Sequence, residues 1–217
     1  MNLIQLSKKI IKYAKKLNSI NLSSFRSGNI SVRAKKKGIN GFLITPSGVR
    51  YSSLKTKDIV FVSLKGKFDS KKKVIPSSEW RIHQNIYVNK SAAKAIVHAH
   101  STCATAVSTH NKSIPAFHYM VGVAGGEDIK CAKYATFGTR NLSKNILSAL
   151  KNRCACLISN HGQIAFGKNL DSAFELAQEV ENICHQYINA IRIGIPKILS
   201  KKEMKIVLGK MKNYKKG

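Results

Sequence analysis

Residues 95–100 read AIVHAH, four small or branched apolar residues interleaved with His98 and His100. So short an apolar run reads as a buried strand. Residues two apart on a strand share a face, so both imidazoles can converge on one point. Two histidines on an apolar strand are costly to bury without a partner, and a metal ion supplies one. A third, His161, lies in Asn160-His161-Gly162 at a strand end, where a turn can aim it inward. Three histidines with an open fourth position form the pattern of a catalytic zinc; ordinary packing is the alternative. His83, His110, His118 and His185 show no such partner and read as structural.

Outward from this strand, short apolar segments mix with amphipathic ones. Leu3, Leu6, Ile10, Ala14 and Leu17 recur at helical spacing. Residues 29–33 and 42–45 read as a hairpin turned by KKKGING, and 59–63 as a third strand closed at Lys65-Gly66. A helix is expected from just after Ser77 or Ser78 to about residue 88, and a short one over 101–108. Pro115 and Gly125-Gly126 frame a loop-rich middle, followed by a helix over 143–152 and strands over 154–159 and 163–166. Leu170, Phe174, Ala177, Val180, Cys184, Tyr187 and Ile191 then form one helical stripe, and a last helix covers 201–211 before a basic tail. This order lacks the βαβα alternation of a doubly wound fold. No GxGxxG follows a strand and no GxxxxGK[ST] occurs, which excludes dinucleotide and P-loop sites. With no repeat and no linker, one mixed α/β domain over residues 1–217 is expected.

Composition narrows the function classes. The 217 residues carry 38 basic and 10 acidic groups, a net charge of +28. That invites a nucleic-acid partner, but only seven of the basic residues are arginine, and no aromatics interleave with the lysines as a stacking platform requires. A solvated lysine-rich surface that attracts anionic substrates is the better reading. No apolar run approaches the roughly 20 residues of a membrane span. Lysines also interrupt every apolar stretch of residues 1–17, unlike a secretory signal, so a soluble cytoplasmic protein is expected. Cys103, Cys131, Cys154, Cys156 and Cys184 form an odd set without a CxxC pair, which suits free thiols in a reducing compartment.

Glu79, in PSSEW, stands at a helix start. It reads either as a capping carboxylate or, beside a metal, as fourth ligand and proton shuttle. Ser77 and Ser78 just before it offer hydroxyls and N–H groups where helix ends bind anions. Ser27-Gly28-Asn29 and Ser47-Gly48 are two further polar turns. Three such turns around a metal suggest a phosphate.

Together GNISVR, LITPSG, PSSEWRIH, HAH, IPAFHYM, YATFGTR and NHG resemble the class II aldolase/adducin family, in register over nearly the whole chain. The resemblance implies a central, mostly antiparallel sheet flanked by helices, assembled as a C4 homotetramer with active sites between subunits. One Zn²⁺ per chain is implied on His98, His100 and His161, with Glu79 as acid/base and as a ligand when substrate is absent. Gly28, Asn29, Ser47, Gly48, Ser77 and Ser78 match the phosphate cradle. Tyr119 matches a tyrosine that reaches the neighbouring subunit's site and protonates an aldehyde oxygen. Phe137 matches an aromatic of the aldehyde pocket and Tyr214 the tyrosine of the C-terminal tail; core packing and a lone tail aromatic are their plain alternatives.

The implied reaction cleaves a ketose 1-phosphate to dihydroxyacetone phosphate and a small aldehyde such as lactaldehyde, with L-fuculose 1-phosphate the leading substrate and 5-deoxyribulose 1-phosphate or methylthioribulose 1-phosphate close contenders. Zinc as Lewis acid would stabilise the resulting negative charge without a Schiff-base lysine. The same fold also serves pentulose-phosphate 4-epimerases and methylthioribulose-1-phosphate dehydratases, but SSEW with AFHYM favours the aldolase branch. A non-catalytic adducin-like module would discard the metal ligands, and all four are present. One departure is Arg26, where the family's aldolases usually carry a small hydroxyl residue; an arginine there could add a phosphate contact or trim the sugar pocket.

Overall fold

The computed structural model describes residues 2–70 and 73–214. Its centre is β4 (Ala95–Ala99), buried along its whole length. β4 pairs antiparallel with β1 (Asn29–Lys36) on one side and β7 (Gly162–Gly167) on the other. β1 turns back into β2 (Ile39–Ile44), which pairs with the edge strand β3 (Val60–Ser63). Beyond β7 lie β6 (Ala155–Ile158) and the two-residue β5 (Cys131–Ala132). Among the described residues only the β5–β6 pair is parallel. The expected mixed, mostly antiparallel sheet is therefore present, with β5 as an addition too short to show any periodicity.

Helices cover both faces. α1 (Leu3–Ser19), α3 (Thr102–Ser108) and α5 (Leu170–Ile193) share one core with Val97, whereas α2 (Trp80–Asn89) and α4 (Arg140–Ala149) share the other with Ile96. Each such burial contributes about 1.5–3 kcal/mol, so opposite faces of β4 are held from both sides. His98 follows Ile96 by two residues and projects with it toward the α2 side. α6 (Lys201–Tyr214) packs near the 3-10 turn Tyr119–Ala124.

Several boundaries shift from expectation. The hairpin pairs through Lys36 and Ile39, so its turn is only Lys37-Gly38, both at positive φ. Two such residues match the right-handed twist of the strands they join. α4 starts at Arg140, three residues early, because the Thr139 side chain accepts from the Leu142 N–H. His100 lies just past the end of β4, and α6 extends to Tyr214. None of the five cysteines is in a disulfide, and no helix among the described residues is long and apolar enough to cross a membrane.

Candidate metal centre and anion pocket

Where β4 ends beside the start of α2, Glu79, His98, His100 and His161 bring one ligand atom each within 4.8 Å of one another. His98 Nε2 and His100 Nε2 are 2.9 Å apart, and His100 Nε2 and His161 Nε2 are 3.0 Å apart. Glu79 closes the cluster, with Oε2 3.1 Å from His98 Nε2 and Oε1 3.3 Å from His161 Nε2.

Each side chain is aimed by a local feature. His98 Nδ1 lies 2.8 Å from the Gln163 carbonyl on β7, which can only accept, so Nδ1 carries a proton and Nε2 faces the cluster. His161 is delivered by the turn between β6 and β7. Gly162 there has φ of 148°, and a Cβ on it would stand 2.4 Å from the Ala99 carbonyl oxygen, so only glycine lets β7 approach β4 this closely. Gly28 plays the same part before β1, where a Cβ would lie 2.6 Å from the His98 carbonyl oxygen.

Glu79 occupies the N-cap position of α2, but its side chain makes no capping bond. Instead it turns inward, 6% exposed, and Oε2 accepts from Asn29 Nδ2 at 3.0 Å. The plain helix-cap reading of Glu79 is thereby overturned.

The donor set fits a divalent cation. Three imidazole nitrogens crowd together against one carboxylate, and Glu79 Oε1 is buried without a hydrogen-bond partner. Burial pushes the Glu79 carboxyl up, but the charge and hydrogen bond of His98, with His161 and His100 adding to them, hold it well below the usual carboxylate range. Burial likewise opposes a charge on His98, yet the Glu79 carboxylate and the Gln163 carbonyl outweigh it and raise its pKa. His100 is pushed down to about 3 and His161 to about 4, first by burial and then by the charge on His98. Neutral imidazoles are the form that ligates metal.

A cavity of about 400 Å³ opens beside the cluster. Its wall includes Gly28, Asn29, Ser47, Gly48, Ser77 and Ser78, the whole expected phosphate cradle, and also Arg26 and Phe137. The N–H groups of Ser47 and Ser77 are already bonded to the Ile75 and Thr45 carbonyls. An anion there would therefore depend more on hydroxyls and on Arg26 than on those two amides. Arg26 reaches across the turn, its Nη1 donating to the Gly48 carbonyl at 3.4 Å. Phe137 is 65% exposed at the mouth. A larger hollow of about 1070 Å³, beside α1 and β3, holds none of the histidines.

One expected residue is not brought to the cavity, and another lies outside the described side chains. Tyr119 opens the 3-10 turn, 51% exposed, and does not line it. Tyr214 ends α6, and its side chain lies outside the described residues. Conversely, Tyr134 and Asn160 line the cavity without having been singled out. Both stand inside quoted motifs, YATFGTR and NHG, so the signal was present but not assigned to them.

Comparison with known proteins agrees with this geometry. Residues 8–188 match the family described as Class II Aldolase and Adducin N-terminal domain. The chain is 44% identical over 211 residues to an L-fuculose phosphate aldolase of Escherichia coli (strain K12), covering 97% of this chain and 95% of that protein. It is 43% identical over 205 residues to a 5-methylthioribulose-1-phosphate/5-deoxyribulose-1-phosphate aldolase of Rhodospirillum rubrum, covering 94% and 90%. A solved L-fuculose 1-phosphate aldolase superposes with a TM-score of 0.89 at 37% identity, over 96% of both chains.

Proposed function

The chain belongs to the class II aldolase and adducin family, and from that premise we propose that it is a zinc-dependent aldolase cleaving a ketose 1-phosphate to dihydroxyacetone phosphate and a small aldehyde. The observation that carries the reading is the buried cluster of the Glu79 carboxylate with three histidine nitrogens, its Oε1 without a hydrogen-bond partner, at the edge of a hydroxyl-lined cavity. A non-catalytic module has no use for so costly a cluster. L-fuculose 1-phosphate is the leading substrate. The Rhodospirillum rubrum relative, nearly as similar, favours 5-deoxyribulose 1-phosphate or 5-methylthioribulose 1-phosphate as a second reading on the same chemistry.

His98, His100 and His161 would hold the zinc, with Glu79 as a fourth ligand in the resting enzyme. When bound, the ion supplies Lewis-acid charge against the negative charge left as the C3–C4 bond breaks. Asn29 holds Oε2 of Glu79, which leaves Oε1 to carry the proton to or from the reacting carbon. Ser47, Ser77, Ser78 and Arg26 grip the phosphate end, remote from the bond that breaks, and this binding energy orients the sugar. On the other side the C4 hydroxyl must give up its proton as its oxygen becomes the aldehyde carbonyl, and the same group returns that proton in the reverse, bond-forming direction. Tyr119 is exposed and absent from its own cavity, which suits delivery into a neighbouring copy's site within a C4 tetramer. Phe137 at the mouth would line the aldehyde pocket, and Tyr214 would serve as the family's C-terminal-tail tyrosine. Five cysteines, none in a disulfide, suit the cytoplasm as its location.

The test is a coupled assay for dihydroxyacetone phosphate over a panel of ketose 1-phosphates and their unphosphorylated forms. Cleavage of a phosphorylated ketose, lost with chelator and restored by zinc, is expected. Equal kcat/KM for phosphorylated and free sugars would overturn the phosphate assignment.

A further inference from the structure

One fully buried polar residue has no part in that mechanism. His83, on α2, is 0% exposed, with Nδ1 2.6 Å from Ser31 Oγ and Nε2 2.5 Å from Asn29 Oδ1. Ser31 Oγ is also 2.8 Å from the Tyr87 hydroxyl. The protons on this chain of contacts can be assigned from its far end. The Glu79 carboxylate only accepts, so the Asn29 group facing it at 3.0 Å is the NH₂, and Oδ1 faces His83. Nε2 of His83 therefore donates, and its Nδ1 must accept from the Ser31 hydroxyl, whose oxygen accepts in turn from Tyr87. Donors and acceptors run in one sense from Tyr87 to Glu79.

The other tautomer cannot serve. With Nε2 bare, the Asn29 amide would have to flip to donate to it, and its carbonyl oxygen would then abut the Glu79 carboxylate. Burial first, and then the charge on His98 against that on Glu79, pushes His83 down to about 3, so the ring is neutral under ordinary conditions.

We propose that His83 is a positioning residue: its Nε2–H locks the Asn29 amide, and the locked amide anchors Glu79 Oε2 so that Oε1 alone is left to move the proton. The lock itself is a structural statement; its catalytic consequence rests on the aldolase reading above.

Two measurements test it on the metal-loaded enzyme. Long-range ¹⁵N–¹H correlation of the His83 ring should report a neutral imidazole with its proton on Nε2 from about pH 6 to 8. A proton on Nδ1, or an imidazolium, would overturn the lock. In kinetics, His83→Gln retains an N–H donor near Nε2 and should stay close to wild type, whereas His83→Phe should lose about 10²-fold in kcat/KM through misplacement of the base. In an Asn29→Ala background His83→Phe should cost nothing further, because both changes break the same link. Losses that multiply, or a Gln variant as poor as Phe, would overturn the proposal. If His83→Phe fails to fold, the wild-type spectrum still decides. If no ketose 1-phosphate is cleaved at all, the aldolase reading fails while the spectrum still tests the lock.

Discussion

Glu79 and Tyr119, the two residues proposed to move protons, sit in opposite settings. Glu79 is 6% exposed, its Oε2 tied to Asn29, whereas Tyr119 is 51% exposed and lines no part of its own chain's cavity. The carbon side of the reaction is built within one chain by neighbouring strands and a helix start. Tyr119, proposed for the oxygen side, lies outside that chain's own cavity. A charged group that must touch a metal needs burial and fixed geometry, which a sheet provides. The group proposed to take the proton from the C4 hydroxyl can come from a surface that a second copy covers.

The largest effect should come from attacking the buried side at its metal. His100→Ala should reduce zinc from about one per chain to near zero by elemental analysis, and turnover to background. Full retention of metal would show that the histidines are merely packed.

Next, Glu79→Gln should lower turnover by roughly 10²–10⁴ while preserving size, and should abolish deuterium exchange of dihydroxyacetone phosphate followed by NMR. A mere cap would cost about 1 kcal/mol of stability and leave exchange intact.

A smaller and more selective loss is expected from Tyr119→Phe, which should impair cleavage but spare that exchange. Mixed assemblies of the Glu79→Gln and Tyr119→Phe variants should recover part of the activity, since some sites then draw both intact residues from different chains. Exchange that survives Glu79→Gln and disappears in Tyr119→Phe would invert the comparison.

The mildest effect concerns acid stability. His83 is held at about 3, below the ordinary histidine value of 6.5, so between those limits the unfolded chain binds a proton that the folded chain refuses. Stability due to this residue is present above pH 6.5 and is lost as pH falls toward 3, with a slope of at most about 1.4 kcal/mol per pH unit. Urea titrations of chelated wild type and His83→Gln should show the steeper acid loss in the wild type. Glu79 also contributes a loss toward acid, but it is common to both proteins and cancels in the difference. Parallel curves would mean that His83 is not held neutral.

Much of the buried side was legible in the residues alone. Alternation in AIVHAH put His98 on the metal-facing side, because side chains of a strand alternate whatever lies around them, and His100, one residue past the strand end, follows it to the same point. The quoted motifs carried the family, the cradle and His161. What local pattern could not reveal was anything fixed by partners far along the chain. β5 was missed because two residues have no period, and α4 began early because one threonine caps it. The helix-cap alternative for Glu79 fell only when Asn29, 50 residues away, was seen to hold its side chain.

His83 marks the boundary between the two kinds of knowledge. The helical spacing of PSSEWRIH could place it on α2, but read as a lone histidine it had no partner. Register decides the rest: β1 sets Asn29 opposite His98, and Ser31 two residues on faces the same side. The sheet thus presents both of the groups between which the ring is held. Sequence by itself determined which residue types could ligate a metal and on which face of a strand they stand, since both follow from backbone periodicity. Only the tertiary structure decided which nitrogen of His83 carries a proton and which oxygen of Glu79 is left free, because hydrogen-bond direction is set by whichever groups folding brings within about 3 Å.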